Sequence, residues 1–346
     1  MNRILVIRGG AIGDFILTLP TLKVLRETYP DAHIEILGYK HIALLAENRF
    51  YAQAVRSIEY GPLSSFFARN SELSPELATY FAGFDLIVSY LYDPDGIFKM
   101  NLSLAGARNI LRRPAKIDIG AGGSRATTTD KPARVDEPGG EPINDEHAAR
   151  QLARPIEELG LRVEDFSAKL YPSGEDRHMA QKFLGNLPRP IMAFHPGSGS
   201  EKKNWPLQNW IDLGNCLLAS DDFRGSIVIV SGEADEDQIR RLEVTWKNAR
   251  VAFAKNLPLP HVAAVIEDSI FVGHDSGISH LAAAAGANCI LLFGPTDPAV
   301  WAPMNDNARV LRGAEGRVDN INVGDVERLL AELLLERRTP LPARSS

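Results

Sequence analysis

The amino-acid sequence predicts an α/β protein built from two similar halves that face each other across a cleft. Short apolar, β-branched runs alternate with segments of helical periodicity, which is typical of open parallel sheets. This alternation stops in a polar stretch and begins again after Tyr171-Pro172. The length of 346 residues also exceeds one ordinary domain and suits two.

The first half begins with residues 4–7, a short run with the character of a buried parallel strand. A glycine turn follows, and then a helical pattern over residues 15–29, with Pro20 expected in the first turn of the main helix. Further strands are predicted at residues 33–37, 55–58, 86–89 and 116–119, and further helices at 42–48 and 147–159. Residues 120–146 are rich in Gly, Thr, Pro and charge, which predicts a mobile loop.

The second half repeats the pattern. Strands are predicted at residues 191–194, 226–231, 251–254, 269–273 and 289–293, and helices at 176–184, 210–218, 235–249, 260–266 and 279–285. An amphipathic helix is predicted at 323–338. We therefore expect an N-terminal domain over 1–175, a C-terminal domain over 185–322, and a helix and tail over 323–346 whose helix packs back toward the N-terminal domain.

The composition excludes some classes of protein. Hydrophobic residues make up 45% and charged residues 24%, as in globular proteins, and the net charge of -6 disfavours nucleic acid as a partner. The two cysteines, Cys216 and Cys289, lie in predicted apolar segments, so buried thiols and a reducing compartment are expected. The apolar run at the N-terminus is too short for a signal peptide, and no run approaches the roughly 20 residues of a membrane span. We expect a cytoplasmic monomer.

The segment from Arg8 to Asp14 follows the first predicted strand. Its glycines let the backbone approach a ligand closely, but it is not GxGxxG, so the dinucleotide fingerprint is not satisfied. Asp14 would lie near a helix N-terminus. Two roles stay open for it: an N-cap, or a general base that faces the cleft.

Two loops of the second half also follow predicted strands. Small residues after position 194 expose amides and hydroxyls beside lysines, although a solvated loop is the plain alternative. The segment after position 273 runs through Asp275 into a turn and a helix N-terminus, which suits a phosphate. The predicted phosphate-binding residues are Ser198, either Lys202 or Lys203, Ser276, Gly277, Ile278 and Ser279.

Other polar groups follow strands of the second half. Asp275 is predicted to accept hydrogen bonds from sugar hydroxyls, and Glu236 from ribose hydroxyls. For Glu236 the alternative is a favourable interaction with a helix dipole. His280 is interpreted as an ordinary helix-face histidine, and the turn at residues 293–298 as ordinary turn chemistry.

Together these blocks resemble glycosyltransferase family 9, the ADP-heptose:lipopolysaccharide heptosyltransferases. The first block consists of residues 4–8, Gly13-Asp14, Leu19-Pro20 and Leu25-Arg26. The second consists of residues 195–197 and 203–206. The third consists of residues 275–284 and 293–298. The blocks extend in order from residue 4 to residue 301, so the resemblance covers most of the chain. His274 and the polar loop depart from the family pattern.

The resemblance implies a GT-B fold, with two Rossmann-like α/β domains and a nucleotide-sugar donor bound mainly by the second. It implies an inverting transfer without metal or cofactor, from an ADP-heptose-type donor to an anionic, lipid-linked saccharide of the lipopolysaccharide inner core. Asp14 matches the proposed base, Lys203 the phosphate-binding lysine and Asp275 the acid at the donor sugar. Peripheral contact with the inner membrane face is compatible with such an acceptor.

The acceptor side and two competing functions stay open. An anionic acceptor requires cations, and the candidates for its contacts are Arg8, Lys40, Arg112 and Arg113. No DxD triplet offers metal ligands, since the DPD of Asp93 and Asp95 is interpreted as a turn. The alternatives are a nucleotide-sugar-binding protein without transfer activity, and a transferase of the same family with another donor or acceptor. A nicotinamide oxidoreductase is disfavoured by the missing GxGxxG.

Overall fold

The computed structural model describes residues 1–112, 117, 146–232, 236–247 and 250–338. In the first half it has strands β1 (Arg3–Arg8), β2 (His33–Gly38), β3 (Ala54–Ser57), β4 (Leu86–Ser89) and β5 (Ile110–Arg112). The helices of this half are α1 (Ile12–Thr28), α2 (Lys40–Ala43), α3 (Pro75–Ala82), α4 (Ile97–Leu104) and α5 (Ala148–Glu157). Of the predicted strand at 116–119 and loop at 120–146, all but residues 117 and 146 lie outside the described residues.

The second half begins with α6 (Gly174–Leu184). Its strands are β6 (Ile191–His195), β7 (Ser226–Ser231), β8 (Val251–Lys255), β9 (Ile270–His274), β10 (Asn288–Phe293) and β11 (Ala308–Arg312). Its remaining helices are α7 (Leu207–Ala219), α8 (Glu236–Thr245), α9 (Leu259–Ile266), α10 (Gly277–Ala285), α11 (Pro298–Trp301) and α12 (Val323–Arg338). No helix in the described ranges is both long enough and apolar enough to cross a membrane.

Each half contains one parallel sheet. The strand order is β3-β2-β1-β4-β5 in the first and β11-β10-β9-β6-β7-β8 in the second. The predicted pair of α/β halves is therefore confirmed, while β5 and β11 were not expected from the pattern. The strand order reverses between β1 and β4 in one sheet and between β9 and β6 in the other, and ligands of such sheets bind beside these points.

Helix α1 begins earlier than the sequence suggests. It starts at Ile12, so Pro20 lies in its interior and not in its first turn. Residues 15–22 of this helix are buried, and tertiary packing supports a helix that has lost one backbone donor at Pro20.

The two halves share part of their core. Helices α1 and α10 pack against each other, and buried residues of both halves belong to one apolar cluster. Hydrogen bonds also join the two halves. The Leu170 N–H donates to the Ala284 carbonyl at 2.8 Å, and the Asn305 side chain donates to the Ala168 carbonyl at 2.9 Å. The shared core holds the walls of the cleft close together.

The C-terminal helix differs from its expected position. Val326, Leu330 and Leu333 of α12 are buried in the apolar cluster of the second half, against α7 and β10. Arg309 of β11 adds ion pairs with Glu332 and Glu336. The helix therefore completes the C-terminal domain, because its apolar stripe covers the outer face of that sheet. Cys216 on α7 is exposed, contrary to expectation, whereas Cys289 is buried.

Candidate active site

The carboxyl ends of the two sheets enclose a cleft of about 580 Å³. Its walls come from residues 10–12, 39, 41 and 42 of the first half and from residues 195, 198, 199 and 276–278 of the second. These residues follow β1, β2, β6 and β9. The location matches the reversal of strand order, and the volume suits a small organic ligand.

The turn between β1 and α1 forms one wall. Gly10 has a φ of +98°, and a Cβ at this position would lie 2.7 Å from Asp14 Oδ2. Both the backbone conformation and the close contact therefore require glycine here. Ala11 is the N-cap residue and Asp14 is the third residue of α1, so the N-cap interpretation of Asp14 is wrong. Asp14 Oδ2 accepts the Ala11 N–H at 3.0 Å.

Arg8 lies beneath this turn and is 4% exposed. Its guanidinium donates to the Asp14 carbonyl and to the Thr18 hydroxyl, each at 3.0 Å, and Nη2 lies 3.4 Å from Asp14 Oδ1. Burial lowers the pKa of Arg8, while the charge of Asp14 opposes that shift. Arg8 thus gives Asp14 a fixed counter-charge, and its burial removes it from the residues that could contact an acceptor.

The turn between β9 and α10 forms the opposite wall. Ser276 is the N-cap residue of α10, and its hydroxyl accepts the Ser279 N–H at 3.3 Å. The amides of Gly277 and Ile278 lie in the first turn, where a helix leaves its N–H groups without intrahelical acceptors. The Ser279 side chain is buried and its hydroxyl donates to the His274 carbonyl, so this hydroxyl faces the fold and not the cleft.

The two helix N-termini approach each other through glycines. A Cβ at Gly277 would lie 2.6 Å from Ile12 Cβ and 3.0 Å from Gly13 N, and a Cβ at Gly13 would lie 3.2 Å from the His280 ring. The positive ends of two helix dipoles therefore converge on one region. A ligand with several negative oxygens is stabilised at such a place.

Lys203 and Asp275 are in direct contact. Lys203 Nζ lies 2.5 Å from Asp275 Oδ2, and the same oxygen accepts the Thr296 hydroxyl at 2.6 Å. The side chains of Lys203 and Asp275 are 27% and 10% exposed. A phosphate that enters here would compete with Asp275 for the Lys203 ammonium, while the Thr296 hydroxyl remains on the carboxylate.

The loop after β6 carries Ser198 into the wall of the cleft. Its hydroxyl lies 2.6 Å from Asn204 Oδ1 and 2.8 Å from the Ser200 carbonyl, and the Ser200 N–H lies 3.3 Å from it. The hydroxyl that was predicted to bind phosphate thus also ties its own loop together.

His274, which departs from the family pattern, holds this loop on the sheet. It is fully buried, its Nε2 accepts the Trp205 N–H at 2.7 Å, and its Nδ1 lies 3.3 Å from the Gly197 carbonyl. Both contacts fit the neutral ring with its proton on Nδ1. Burial lowers the pKa of His274 to about 3. Its role is therefore structural.

His280 lies where the two halves meet. It is 5% exposed, and burial lowers its pKa to about 4, against the opposing charges of Asp275 and Asp14. The positive charge of Lys203 and the nearby His147 lower the pKa further. A neutral imidazole on the face of α10 thus packs against α1 as a buried contact.

Comparison with known proteins agrees with this arrangement. The model of glycosyltransferase family 9 (heptosyltransferase) matches residues 95–330, which is more than half of the chain. The chain belongs to glycosyltransferase family 9. Lipopolysaccharide heptosyltransferase 1 of Escherichia coli K12 is 32% identical over 163 residues, or 46% of this chain and 50% of that protein. Lipooligosaccharide heptosyltransferase 2 of Haemophilus influenzae is 30% identical over 146 residues, or 40% and 41%.

These matches span half or less of the length of those two relatives. A longer match joins 85% of this chain to 84% of Escherichia coli lipopolysaccharide heptosyltransferase 3, at 25% identity. Among solved structures, Escherichia coli ADP-heptose heptosyltransferase II aligns with a TM-score of 0.70 at 18% identity, covering 98% of this chain and 100% of that one. This likeness confirms the GT-B fold.

In this glycosyltransferase family 9 member, Glu236 stands apart from the main cleft. It lines a second cavity of about 280 Å³ with Ser231, Lys255 and Asn256, beyond the ends of β7 and β8. Its side chain is 64% exposed and lies 3.7 Å from Arg240. The structure therefore places this acid beside the second cavity and not with Asp275.

The remaining predicted cations have different positions. Lys40 is exposed at the start of α2, between the cleft residues Tyr39 and His41. Arg112 instead donates to the Asp93 carbonyl at 2.5 Å, and the Asp93 carboxylate accepts the Phe98 and Lys99 N–H groups in the first turn of α4. Arg113 lies outside the described residues.

Sequence reasoning missed some residues of the candidate site. Tyr39 lines the cleft, but its only sequence signal is that it follows a predicted strand. Thr296 belongs to a turn interpreted as ordinary, yet its hydroxyl contacts Asp275. Its position after the last apolar strand was the available signal.

Proposed function

We propose that this protein transfers a heptose, by an inverting and metal-independent reaction, from ADP-heptose to an anionic, lipid-linked saccharide of the lipopolysaccharide inner core. The observation that carries this proposal is the convergence of two helix N-termini on one interdomain cleft. Lys203 contacts Asp275, the residue before the N-cap of α10, and the acid Asp14 lies in the first turn of α1. The names of the relatives support heptose as the sugar and lipopolysaccharide as the acceptor.

The proposed reaction is a single displacement. An acceptor hydroxyl attacks the anomeric carbon of the donor heptose, the bond from that carbon to the pyrophosphate oxygen breaks, and ADP leaves. The Asp14 carboxylate takes the proton of the hydroxyl. Oδ2 accepts the Ala11 N–H and Oδ1 lies 3.4 Å from Arg8 Nη2, and each oxygen keeps a further lone pair for this transfer.

The leaving group requires charge stabilisation. The amides of Gly277 and Ile278, the Ser276 hydroxyl and Lys203 are positioned to supply it in place of a divalent ion. Asp275 is assigned to the donor sugar and Glu236 to the ribose, since the cavity of Glu236 lies beyond the neighbouring strands of the same sheet. Lys40 remains our candidate on the acceptor side.

A donor screen tests the proposal. The protein is incubated with an inner-core acceptor that ends in Kdo or heptose and with ADP-heptose, other ADP-sugars, GDP-sugars or UDP-sugars, and nucleotide release is measured with and without EDTA. We expect turnover with ADP-heptose that EDTA leaves unchanged. Turnover with a uridine donor alone would refute the donor assignment, and loss of turnover in EDTA would refute the metal-independent scheme.

The same assay separates the competing functions. A nucleotide-sugar-binding protein without transfer activity would bind ADP-heptose in calorimetry and release no ADP with any acceptor. A family member with another acceptor would release ADP only when that acceptor is supplied.

A further inference from the structure

The turn after β10 contains a threonine that the proposed transfer does not use. Pro295 and Pro298 restrict the backbone on both sides of it. Gly294 packs closely on the next segment, since a Cβ there would lie 3.1 Å from Val318 N. Asp297 caps α11 by accepting the Ala299 N–H at 3.0 Å. The turn therefore presents Thr296 from an anchored backbone.

Thr296 contacts an acid from the neighbouring strand end. Its hydroxyl donates to Asp275 Oδ2 at 2.6 Å, the oxygen that also lies 2.5 Å from Lys203 Nζ. With two donors on Oδ2, Oδ1 is the oxygen that a ligand hydroxyl can reach. Because the hydroxyl is uncharged, Thr296 can fix the direction of the carboxylate without neutralising its charge.

The two donors to Asp275 would respond differently when a ligand enters the cleft. Lys203 is attracted to any phosphate that enters the cleft, and its flexible side chain can follow that charge. Thr296 is β-branched and stands on an anchored turn, so it has little freedom to leave. When Lys203 turns to a phosphate, Thr296 is the donor that still holds Asp275.

We propose that Thr296 is a positioning residue, which keeps the Asp275 carboxylate directed at the donor sugar while Lys203 moves to the donor phosphates. This inference rests on the proposed function, because it assigns Asp275 to the sugar of a nucleotide-sugar. It predicts that removal of the Thr296 hydroxyl affects the sugar part of the donor and spares the nucleotide part.

The test uses the full chain and three variants. Thr296→Val keeps the shape and removes the hydroxyl, Thr296→Ser keeps the hydroxyl, and Asp297→Ala removes a different hydrogen bond of the same turn. For each variant, the affinities for ADP and ADP-heptose are measured by calorimetry, and kcat and KM by nucleotide release. Thermal unfolding shows whether each variant is folded.

We expect Thr296→Val to lower kcat/KM for ADP-heptose about tenfold, the effect of one hydrogen bond to a charged group, with unchanged affinity for ADP. Thr296→Ser should restore wild-type behaviour, and Asp297→Ala should reduce stability alone. In an Asp275→Asn background, Thr296→Val should have no further effect, because it acts through that carboxylate.

Two results would overturn the inference. One is a Thr296→Val variant with wild-type kinetics, and the other is an equal loss of ADP and ADP-heptose affinity. Failure of the proposed function has a different signature, since the wild-type protein would then release no ADP from ADP-heptose.

Discussion

Two strand-turn-helix junctions face each other across the cleft, and they place their charges in opposite ways. After β1, the acid Asp14 lies inside the first turn of α1, and its counter-charge, Arg8, is buried beneath it. After β9, the acid Asp275 precedes the helix, and its partner Lys203 comes from another loop and is 27% exposed. A buried partner holds its acid in place, whereas a partly exposed partner can leave. This difference is consistent with our proposal of proton transfer at the first junction and ligand exchange at the second.

The largest expected effect comes from the first junction. Asp14→Asn should lower kcat by about 10²–10⁴-fold, the usual contribution of a general base, while calorimetry finds unchanged affinity for ADP. Asp176→Asn is a matched control. Asp176 occupies the same third position of α6, where it accepts the Ser173 N–H, and it lies outside the cleft. Unchanged turnover in Asp14→Asn would remove Asp14 from the mechanism.

A substitution at the second junction should change the affinity for ADP. Lys203→Met should weaken ADP affinity about 10–100-fold, because it removes a charged donor to the phosphates. Lys202→Met, at the exposed neighbouring position, is the control and should bind ADP normally. Equal ADP affinities in both variants would mean that Lys203 contacts Asp275 and does not bind the phosphates.

A histidine of α10 makes the second junction sensitive to pH. His280 is held neutral, with its pKa lowered from 6.5 to about 4 by burial. Above pH 6.5 the folded and unfolded forms are both neutral at this residue, so its full contribution to stability is present. As the pH falls from 6.5 to 4 the unfolded chain gains the proton first, and stability is lost, by at most about 3 kcal/mol.

Denaturant unfolding measured from pH 7 to pH 4 tests this expectation. His280→Gln should reduce the loss of stability over this range, and His178→Gln, at an exposed position of α6, should not. Parallel pH profiles for His280→Gln and the wild type would contradict a neutral buried imidazole.

The smallest expected effect concerns the contact between the junctions. Gly277→Ala should lower the free energy of unfolding by about 1–3 kcal/mol, since the new methyl group overlaps Ile12 and the backbone of Gly13. Gly199→Ala, in the same cleft with open space around its Cα, is the matched control for urea unfolding. A Gly277→Ala variant as stable as the wild type would show that the helices can separate without cost.

Local patterns predicted most of the fold and part of the candidate site. Apolar β-branched runs and helical periodicity identified β1, β6 and β9, and the rule for strand ends pointed to Asp14 and Ser276, whereas the family resemblance selected Lys203 over Lys202. The same patterns failed for Pro20, because the packing of a long buried helix tolerated an interior proline. They also failed for α12, because an apolar stripe does not specify which of two sheets it will cover.

The two α/β halves, the loops that follow their strands and the family resemblance were all predictable from the chain. Those properties depend on short-range periodicity and on motifs that can be read along the chain. Three features required the folded structure: Arg8 lies under Asp14, Ser279 and His274 serve the fold, and Thr296 and Lys203 share one oxygen of Asp275. Such contacts join residues far apart in sequence, and which hydroxyl or ammonium reaches a carboxylate depends on the packing of whole elements.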